Sequence, residues 1–305
     1  MNILETWLIL LMYKPQLEIS LRHLRYLSVI NRRKTLSAAA TDLGVTQPAL
    51  SLAVKEIEQQ LGTKLFEKRG REKLLTAAGI LAVQFADRTL HEAKELVESL
   101  RDENQLVRGT LSVGMIDAAS LYLLPAAISA FRKVAPEVEI QIVVADSDTL
   151  TEQLKDFQLD VAFVVSPPDG IDDSEDFAAT VVMEEALLLC TPDIDAGSEP
   201  SEWALYPSGS RTRALIDRGL QSVGIRPYTT VESANPQILR QMVSLGLATS
   251  VLPESVANSG KSIIVTKEIA RREIICIRRA NSPSNPKVSA LVELGLTVGR
   301  EYAAD

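Results

Sequence analysis

A short polar stretch, LSAAATDLGVTQPALSLAVKEIEQQLG, carries side chains suited to hydrogen-bonding a nucleic acid. The carboxamide of Gln47 can pair with N6 and N7 of adenine, and Ser51 can bind a base or a phosphate. Thr35 and Ser37 stand at the start of a helix, where hydroxyl and backbone N–H groups can hold a phosphate. Helix capping is the alternative for Thr35 and Thr46, and the two roles are compatible.

Two short helices must position these side chains. The second has an apolar stripe at helical spacing, made of Leu50, Val54, Ile57 and Leu61. The first, residues 36–43, buries its small and apolar side chains, Leu36, Ala39, Ala40 and Leu43. Gly44 permits a sharp turn between them, and Pro48 falls in a first helical turn, where its missing N–H costs nothing.

This pattern predicts a helix-turn-helix whose second helix enters a major groove. The residues predicted to contact DNA from it are Thr35, Ser37, Thr46, Gln47, Pro48, Ser51, Leu52 and Lys55.

A basic hairpin is predicted directly after the second helix. In LFEKRGREKLLTAAG, a turn centred on Gly70 separates two short segments that carry Lys68, Arg69, Arg71 and Lys73. An ordinary charged hairpin is the alternative, but after a helix-turn-helix we expect a wing that lies along the DNA backbone or reaches into the minor groove.

The charge distribution supports a nucleic-acid-binding module. Residues 21–74 hold eleven basic and five acidic side chains, a net charge of +6, whereas the whole chain of 305 residues carries −8. The rest of the chain therefore carries −14. A basic module attached to an acidic body fits a nucleic-acid binder with a separate regulatory part, although a basic face can also be merely solvated.

Together these residues resemble LysR-type transcriptional regulators. The runs AAATDLGVTQPALS, IEQQLGTKLFEKR and LTAAG follow that family's pattern A-A-x-x-L-x-V-[ST]-Q-P-A-[LV]-S, L-E-x-x-L-G-x-x-L-F-x-R and L-T-x-A-G. Three positions depart from it: Leu52 replaces a residue that is often polar, Ile57 replaces leucine and Lys68 replaces arginine. Leu52 would weaken one DNA contact or redirect it toward a thymine methyl group.

A long helix is predicted after the hairpin. Val83, Ala86, Leu90, Ala93, Val97 and Leu100 follow a heptad spacing. Core packing is one interpretation, and pairing with a second copy is the one we favour. The resemblance implies an antiparallel dimer through this helix, which would present two reading helices to two half-sites of double-stranded DNA, and a homotetramer through the body.

The body from Gly109 alternates strands and helices. GTLSVGMI, VEIQIVVA, DVAFVVS, EALLLCT and SIIVTKE read as strands, with helical patterns between them. The resemblance implies a two-lobed α/β effector domain like a periplasmic binding protein, with chain crossings near residues 164–168 and 264–269. The predicted fold is α+β and multi-domain: an extension at 1–20, a winged helix-turn-helix at 21–78, a linker helix at 79–108 and an effector domain at 109–305. Lobe I covers about 109–166 and 268–305, and lobe II about 167–267.

Three strand-to-helix turns would face the crevice between the lobes, where hydroxyls and helix N–H groups favour an anion. Their candidate effector-binding residues are Asp117, Ala118, Ser120, Ser208, Ser210, Arg211, Thr212, Ser233 and Asn235. Helix capping is the alternative for each. Asp117 would repel an anion or bind an amine or hydroxyl, so we expect a small metabolite with an acidic group.

Other classes of protein fit less well. Cys190 and Cys276, the only cysteines, lie in apolar runs, which favours core thiols over a disulfide, a zinc cluster or a redox sensor. Two scattered histidines predict no metal site, and the absence of a catalytic motif predicts no enzyme and no cofactor. A solute-binding protein would have an export signal and no helix-turn-helix.

The apolar N-terminal run is too short to span a bilayer. We interpret it as a loose extension or as a sign that translation starts near Met12. The expected location is the cytoplasm, with no membrane partner.

Overall fold

The computed structural model of the protein describes residues 18–33, 35–69, 72–101, 108–167, 176–193, 202–259, 262–280, 282 and 285–304. The chain divides into two compact units, residues 1–94 and 95–305. Each unit has hydrophobic clusters of its own.

The first unit contains three helices, a hairpin and most of a long helix, which continues beyond residue 94. They are α1 (Leu21–Arg32), α2 (Leu36–Leu43), α3 (Gln47–Leu61), β1 (Phe66–Arg69), β2 (Glu72–Leu75) and α4 (Ala77–Arg101). Gly44 and Gly62 end α2 and α3 with φ of 66° and 67°, which a residue without a Cβ adopts at little cost. The predicted helix-turn-helix and hairpin are confirmed.

Small side chains set the distance between α2 and α3. Ala39, Ala40, Leu50 and Val54 are buried in one cluster with Tyr26 of α1. Leu61, predicted to belong to the buried stripe of α3, is instead exposed in the last turn of the helix.

The start of α4 is fixed against the hairpin. Thr76 donates to the carbonyl of Lys64 (2.7 Å) and accepts from the N–H of Gly79 (3.0 Å). A Cβ at Gly79 would lie 2.0 Å from the carbonyl oxygen of Leu65, so the backbones approach where only glycine fits. The run LTAAG therefore has a structural role: it turns the chain from the hairpin into the helix.

The heptad spacing of α4 serves intramolecular packing in its first half. Val83 and Ala86 are buried in a cluster with Leu24 and Leu27 of α1. The interpretation of the whole seam as a contact with a second copy is therefore wrong for these positions, because spacing alone does not say which partner buries a stripe. Val97 is exposed, and so are the apolar side chains Ile80, Leu81, Phe85 and Leu96 elsewhere around the helix.

The second unit is a mixed α/β body. Its elements are β3 (Gly109–Met115), a π-helical turn (Ala119–Leu123), α5 (Leu124–Val134), β4 (Val138–Val144), α6 (Ser147–Lys155), β5 (Val161–Val165), β6 (Phe177–Pro192), β7 (Glu202–Leu205), α7 (Arg211–Ser222), β8 (Tyr228–Glu232), α8 (Pro236–Ser244), β9 (Ser250–Pro253), α9 (Glu254–Ala257), β10 (Ile263–Arg279) and α10 (Pro286–Ala304).

Six strands form one sheet in the order β4-β3-β5-β10-β6-β9, and β7 pairs with β8. Strands β3, β4 and β5 are parallel, as are β7 and β8, whereas β10 is antiparallel to both β5 and β6. The carboxyl ends of the parallel strands therefore supply the turns into the helices that follow.

Two separate cores define two lobes. One core includes Phe131, Phe163 and Ile274, and the other includes Leu187, Ile216 and Ile269. The predicted two-lobed α/β body is confirmed.

The chain crosses between the lobes further along than we expected. The first crossing falls between Met183, which belongs to the first core, and Leu187, which belongs to the second. The second crossing falls between Ile269 of the second core and Ile274 of the first. Both crossings fall inside β6 and β10, which pair over most of their length. The expected crossings at 164–168 and 264–269, and the lobe boundaries drawn from them, are displaced because a continuous strand, rather than a loop, links the lobes.

Candidate functional site

The exposed face of the helix-turn-helix carries the residues predicted to contact DNA. Thr35 and Thr46 cap α2 and α3, each accepting from a backbone N–H three residues later at 3.3 Å. Leu52 is 58% exposed, although its side chain is apolar. The other exposed residues are Thr35, Ser37, Thr46, Gln47, Pro48 and Lys55, and Ser51 is half-buried.

The hairpin places two predicted basic positions opposite each other, since Lys68 pairs with Lys73 in the antiparallel register. Arg69 also lies on β1, while Arg71 lies outside the described residues, as do residues 1–17.

Glu58 was not singled out in the sequence, yet it joins α3 to the hairpin. Its carboxylate accepts from the backbone N–H of Leu65 at 3.0 Å and from the ammonium of Lys64 at 2.6 Å. Burial raises the pKa of Glu58, but these bonds and one from Phe66 outweigh burial, so the pKa lies below its ordinary value. The only available signal was the glutamate of the run IEQQLGTKLF, whose role depends on contacts seven residues away.

A cavity of about 530 Å³ lies between the two lobes of the second unit. Its walls are the segments that follow the carboxyl ends of β3, β4 and β5 on one side and of β7 and β8 on the other. Its volume is in the range of small-molecule sites, about 300–1,000 Å³, and parallel α/β sheets bind ligands at this edge.

Six of the nine predicted effector residues line this cavity: Asp117, Ala118, Ser208, Ser210, Arg211 and Thr212. The other three do not. Ser120 donates to the carbonyl of Asp117 at 2.7 Å, and Asn235 caps α8 by accepting from the N–H of Gln237 at 2.9 Å. Ser233 accepts from the N–H of Asn235 at 3.2 Å, so these three side chains serve local turns.

Arg211 connects the lobes across the cavity. Its guanidinium donates to the carboxylate of Asp148 at 2.9 Å, the carbonyl of Val165 at 2.7 Å and the hydroxyl of Thr151 at 3.3 Å. Outside the cavity lining, Gln237 donates to the phenol of Tyr122, so a second contact joins the lobes.

Arg272 forms the back of the cavity on a crossing strand. It is 2% exposed and pairs with Glu185, its register partner on β6, at 2.8 and 2.6 Å. It also donates to the hydroxyl of Thr212 at 3.1 Å and lies over the ring of Tyr206. The buried pair of Arg272 and Glu185 therefore lies where the strands cross between the lobes, and Arg272 also lines the cavity.

Within the described ranges, the carboxylate of Asp117 and the hydroxyl of Tyr206 are two polar groups at the cavity that make no hydrogen bond to another residue. Burial raises the pKa of the Asp117 carboxyl, and it raises the pKa of the Tyr206 phenol to about 12. The nearby guanidinium of Arg272 opposes this rise, but it lies over the ring, and in the described part of the chain no residue meets hydrogen-bond geometry at the buried hydroxyl of Tyr206. The sequence did not predict Tyr206 or Arg272 as cavity residues. Tyr206 follows a strand of only four residues, and Arg272 lies in a charged run that gives no sign of burial.

Both cysteines are buried in strands. Burial raises the pKa of the Cys190 and Cys276 thiols to about 12. Thiolates are the reactive form of cysteine, so neither side chain has the environment of a redox sensor.

A basic helix-turn-helix with a hairpin, joined to a two-lobed body with a cavity, defines a DNA-binding regulator controlled by a small molecule. Residues 21–80 match the bacterial regulatory helix-turn-helix protein, lysR family, and residues 104–299 match the LysR substrate binding domain. The chain belongs to the LysR family of transcriptional regulators. Its members are regulators and not enzymes.

Relatives match over nearly the whole chain. The DNA-binding transcriptional dual regulator OxyR of Escherichia coli K12 is 26% identical over 292 residues, covering 90% of this chain and 94% of OxyR. The regulator GbpR of Azospirillum brasilense is 28% identical, covering 78% of this chain and 73% of GbpR.

Two solved structures share the fold. A full-length OxyR variant from Pseudomonas aeruginosa is 24% identical, with a TM-score of 0.71, and the match covers 92% of this chain and 98% of that one. Full-length CbnR in complex with its target DNA is 24% identical, with a TM-score of 0.63, covering 92% of this chain and all of CbnR.

Among the described residues, no helix combines the length and the apolar composition needed to cross a bilayer. Over the same ranges, no cluster of three or more His, Cys, Asp and Glu side chains could hold a metal ion.

Proposed function

We propose that the protein reads promoter DNA through α3 and responds to a small metabolite bound in the cavity between its lobes. One observation carries this proposal: the same chain has both an exposed polar face on α3 and a cavity of about 530 Å³ between two lobes. Gln47 reads a base edge, Thr35 and Ser37 hold the DNA backbone, and Lys68, Arg69, Arg71 and Lys73 form the basic wing.

Dimerisation through α4 belongs to the same proposal. The exposed apolar side chains Leu81 and Phe85 supply an apolar surface on this helix. Two copies joined there would present two reading helices to dyad half-sites, and contacts between effector domains would make a tetramer. The place of action is the cytoplasm, where bacterial DNA lies.

The effector carries an acidic group in this proposal. Ser208 and Ser210 stand at the N-terminus of α7, where N–H groups without a partner in the helix favour an anion. Binding there would shift the population between open and closed lobes, and with it the spacing of the reading helices.

Sensing through a thiol is the competing function, because several relatives are named hydrogen peroxide-inducible genes activators. The burial of Cys190 and Cys276, with thiol pKa values raised to about 12, argues against it. We infer that control passes through a bound molecule.

The Gln47→Ala variant tests the reading helix. We expect it to lose about 1–3 kcal/mol of discrimination between the true site and a mutated site, because a carboxamide reads adenine through two bonds. The measurement is binding to DNA upstream of the protein's own gene over a salt series. Phosphate contacts persist in the variant, so its salt dependence should stay steep.

Gln60→Ala is the matched control, since Gln60 is exposed at the far end of the same helix. An unchanged sequence preference in Gln47→Ala, or an equal loss in Gln60→Ala, would remove Gln47 from the reading role.

A further inference from the structure

The cavity contains two cationic side chains, and both are already neutralised. Arg211 is bound to Asp148, with an N···O distance of 2.8 Å, and Arg272 is bound to Glu185 at 2.6 Å. The lining also includes Asp117 and Asp146. Asp146 caps α6 by accepting from the N–H groups of two following residues, at 3.0 and 2.9 Å. The walls therefore carry a surplus of negative charge and, among the described residues, no arginine left to bind an anion.

Asp117 is the acidic group that a ligand can use. It is half-buried at the cavity, and within the described ranges burial is the one influence on its carboxylate, with no hydrogen bond or ion pair opposing it. A carboxylate withdrawn from water without a partner is costly, so its natural complement is a cationic N–H donor.

The opposite wall is built to accept an acid group and to orient it. The N–H groups of Arg211 and Thr212 begin α7 without an acceptor inside the helix. The Ser210 hydroxyl caps the helix by accepting from the N–H of Arg213 at 3.2 Å, and Ser208 lies beside it at the cavity. Beside them Tyr206, 5% exposed and lining the same cavity, holds a buried hydroxyl with no hydrogen-bond partner in the described chain. A phenol can donate to a ligand oxygen or accept from a ligand donor.

We propose that the effector is a small zwitterion of the amino-acid type, with its acid group at the N-terminus of α7 and the Tyr206 hydroxyl, and its protonated amine at Asp117. This inference rests on the proposed function and names the ligand class for that cavity. A simple anion would face the surplus negative charge without a compensating cation, whereas a zwitterion satisfies both walls and adds no net charge.

The experiment uses the full chain and a panel of common free amino acids. Each is compared with its N-acetyl derivative, which has lost the cationic amine, and with its 2-hydroxy acid, in which a neutral hydroxyl replaces the amine. Isothermal titration calorimetry measures affinity. We expect at least one free amino acid to bind, and both counterparts to bind about 10- to 100-fold more weakly because a charged hydrogen bond is lost.

Three variants locate the two ends of the ligand. Asp117→Asn should bring the affinity for the free amino acid down to that for its 2-hydroxy acid, and Tyr206→Phe should weaken both compounds equally. Glu152→Gln, which changes an exposed carboxylate of the same lobe on α6, should leave every affinity unchanged. Thermal unfolding of each variant shows whether it is folded.

Several outcomes would overturn the ligand class: no amino acid binds, an N-acetyl or hydroxy counterpart binds as tightly, or Asp117→Asn retains the preference for the amine. A footprint of wild-type protein with a metabolite extract separates these outcomes from failure of the proposed function. If the extract alters the footprint while the panel does not bind, the regulator is ligand-controlled and only the zwitterion is wrong. If neither acts, both proposals fail.

Discussion

Glu58 lies in the middle of the DNA-binding unit and receives hydrogen bonds from Lys64 and from the backbone of Leu65 and Phe66. It is 7% exposed, so in a variant without its charge the remaining amide oxygen would bind these buried N–H groups more weakly, and an amide NH2 group would face the ammonium of Lys64. The hairpin begins at these N–H groups. A single side chain of α3 therefore sets the position of the wing relative to the reading helix.

The Glu58→Gln variant should lower the free energy of unfolding of the first unit by about 1–3 kcal/mol at pH 7. Because the pKa of Glu58 is lower in the folded chain, its stabilising effect is complete above the ordinary value of 4.5 and is lost as pH falls through the lower, folded value. The difference between the variant and wild type should therefore shrink below about pH 4.5.

Urea unfolding at pH 7 and pH 4 measures this difference, with amide hydrogen exchange in residues 58–69 as a local report. Glu56→Gln, an exposed neighbour on the same helix, is the control and should change little. Equal stability of Glu58→Gln and Glu56→Gln at pH 7 would contradict the proposed anchor.

Residue types identify a site only where local spacing determines exposure. The exposure of Gln47 and the cap at Thr46 could be predicted from the sequence because helix periodicity and capping depend on near neighbours. The position of Ser208, Ser210 and Arg211 at the cavity could be predicted because a turn into a helix lies at the carboxyl edge of an α/β sheet. Ser233 and Asn235 resemble them in sequence but bond to each other and to Gln237. Whether such a turn places its side chains in the cavity depends on the packing of the whole domain, which no local sequence pattern specifies.

At the scale of elements, the paired strands β6 and β10 connect the two lobes, and β10 also supplies Arg272 to the cavity between them. They run from one core into the other, and the register partners Arg272 and Glu185 meet where they cross. Removal of one member of a buried pair leaves an uncompensated charge, which costs about 3–5 kcal/mol, whereas replacement of both by apolar residues can be neutral.

The Arg272→Met variant should therefore destabilise the effector domain by about 3–5 kcal/mol, and the double variant Arg272→Met with Glu185→Leu should recover most of that loss. Fluorescence of Trp203 reports the unfolding in a Trp7→Phe background, since the chain has two tryptophans. Arg271→Met, at an exposed arginine of the same strand, is the control. Additive losses in the double variant would contradict a coupled pair.

Elements were predictable where they were long or strongly patterned. The central strands and α7 follow apolar runs and helical spacing, whereas β7 and β8 are too short and too mixed in polarity to be recognised. In α4 the heptad spacing was real, but Val83 and Ala86 use it to pack on α1. A pattern predicts that a stripe is buried, while the identity of the partner depends on the fold.

On the scale of the whole molecule, one chain combines a DNA-reading unit and a ligand-binding unit, each with its own core. A ligand can bias this assembly only through unequal affinity for its conformations. Such a preference would arise at the contacts that Arg211 and Gln237 make between the lobes, because these contacts would break if the lobes moved apart.

The most direct test of ligand control is a footprint on DNA upstream of the protein's own gene, with and without metabolite extract. Wild type is compared with Ser208→Trp, which fills the cavity from an exposed position just before α7, and with Ser222→Trp at the far end of that helix. We expect the extract to change the extent of protection for wild type and Ser222→Trp, and to have no effect on Ser208→Trp. A response of Ser208→Trp equal to that of wild type would contradict control through this cavity.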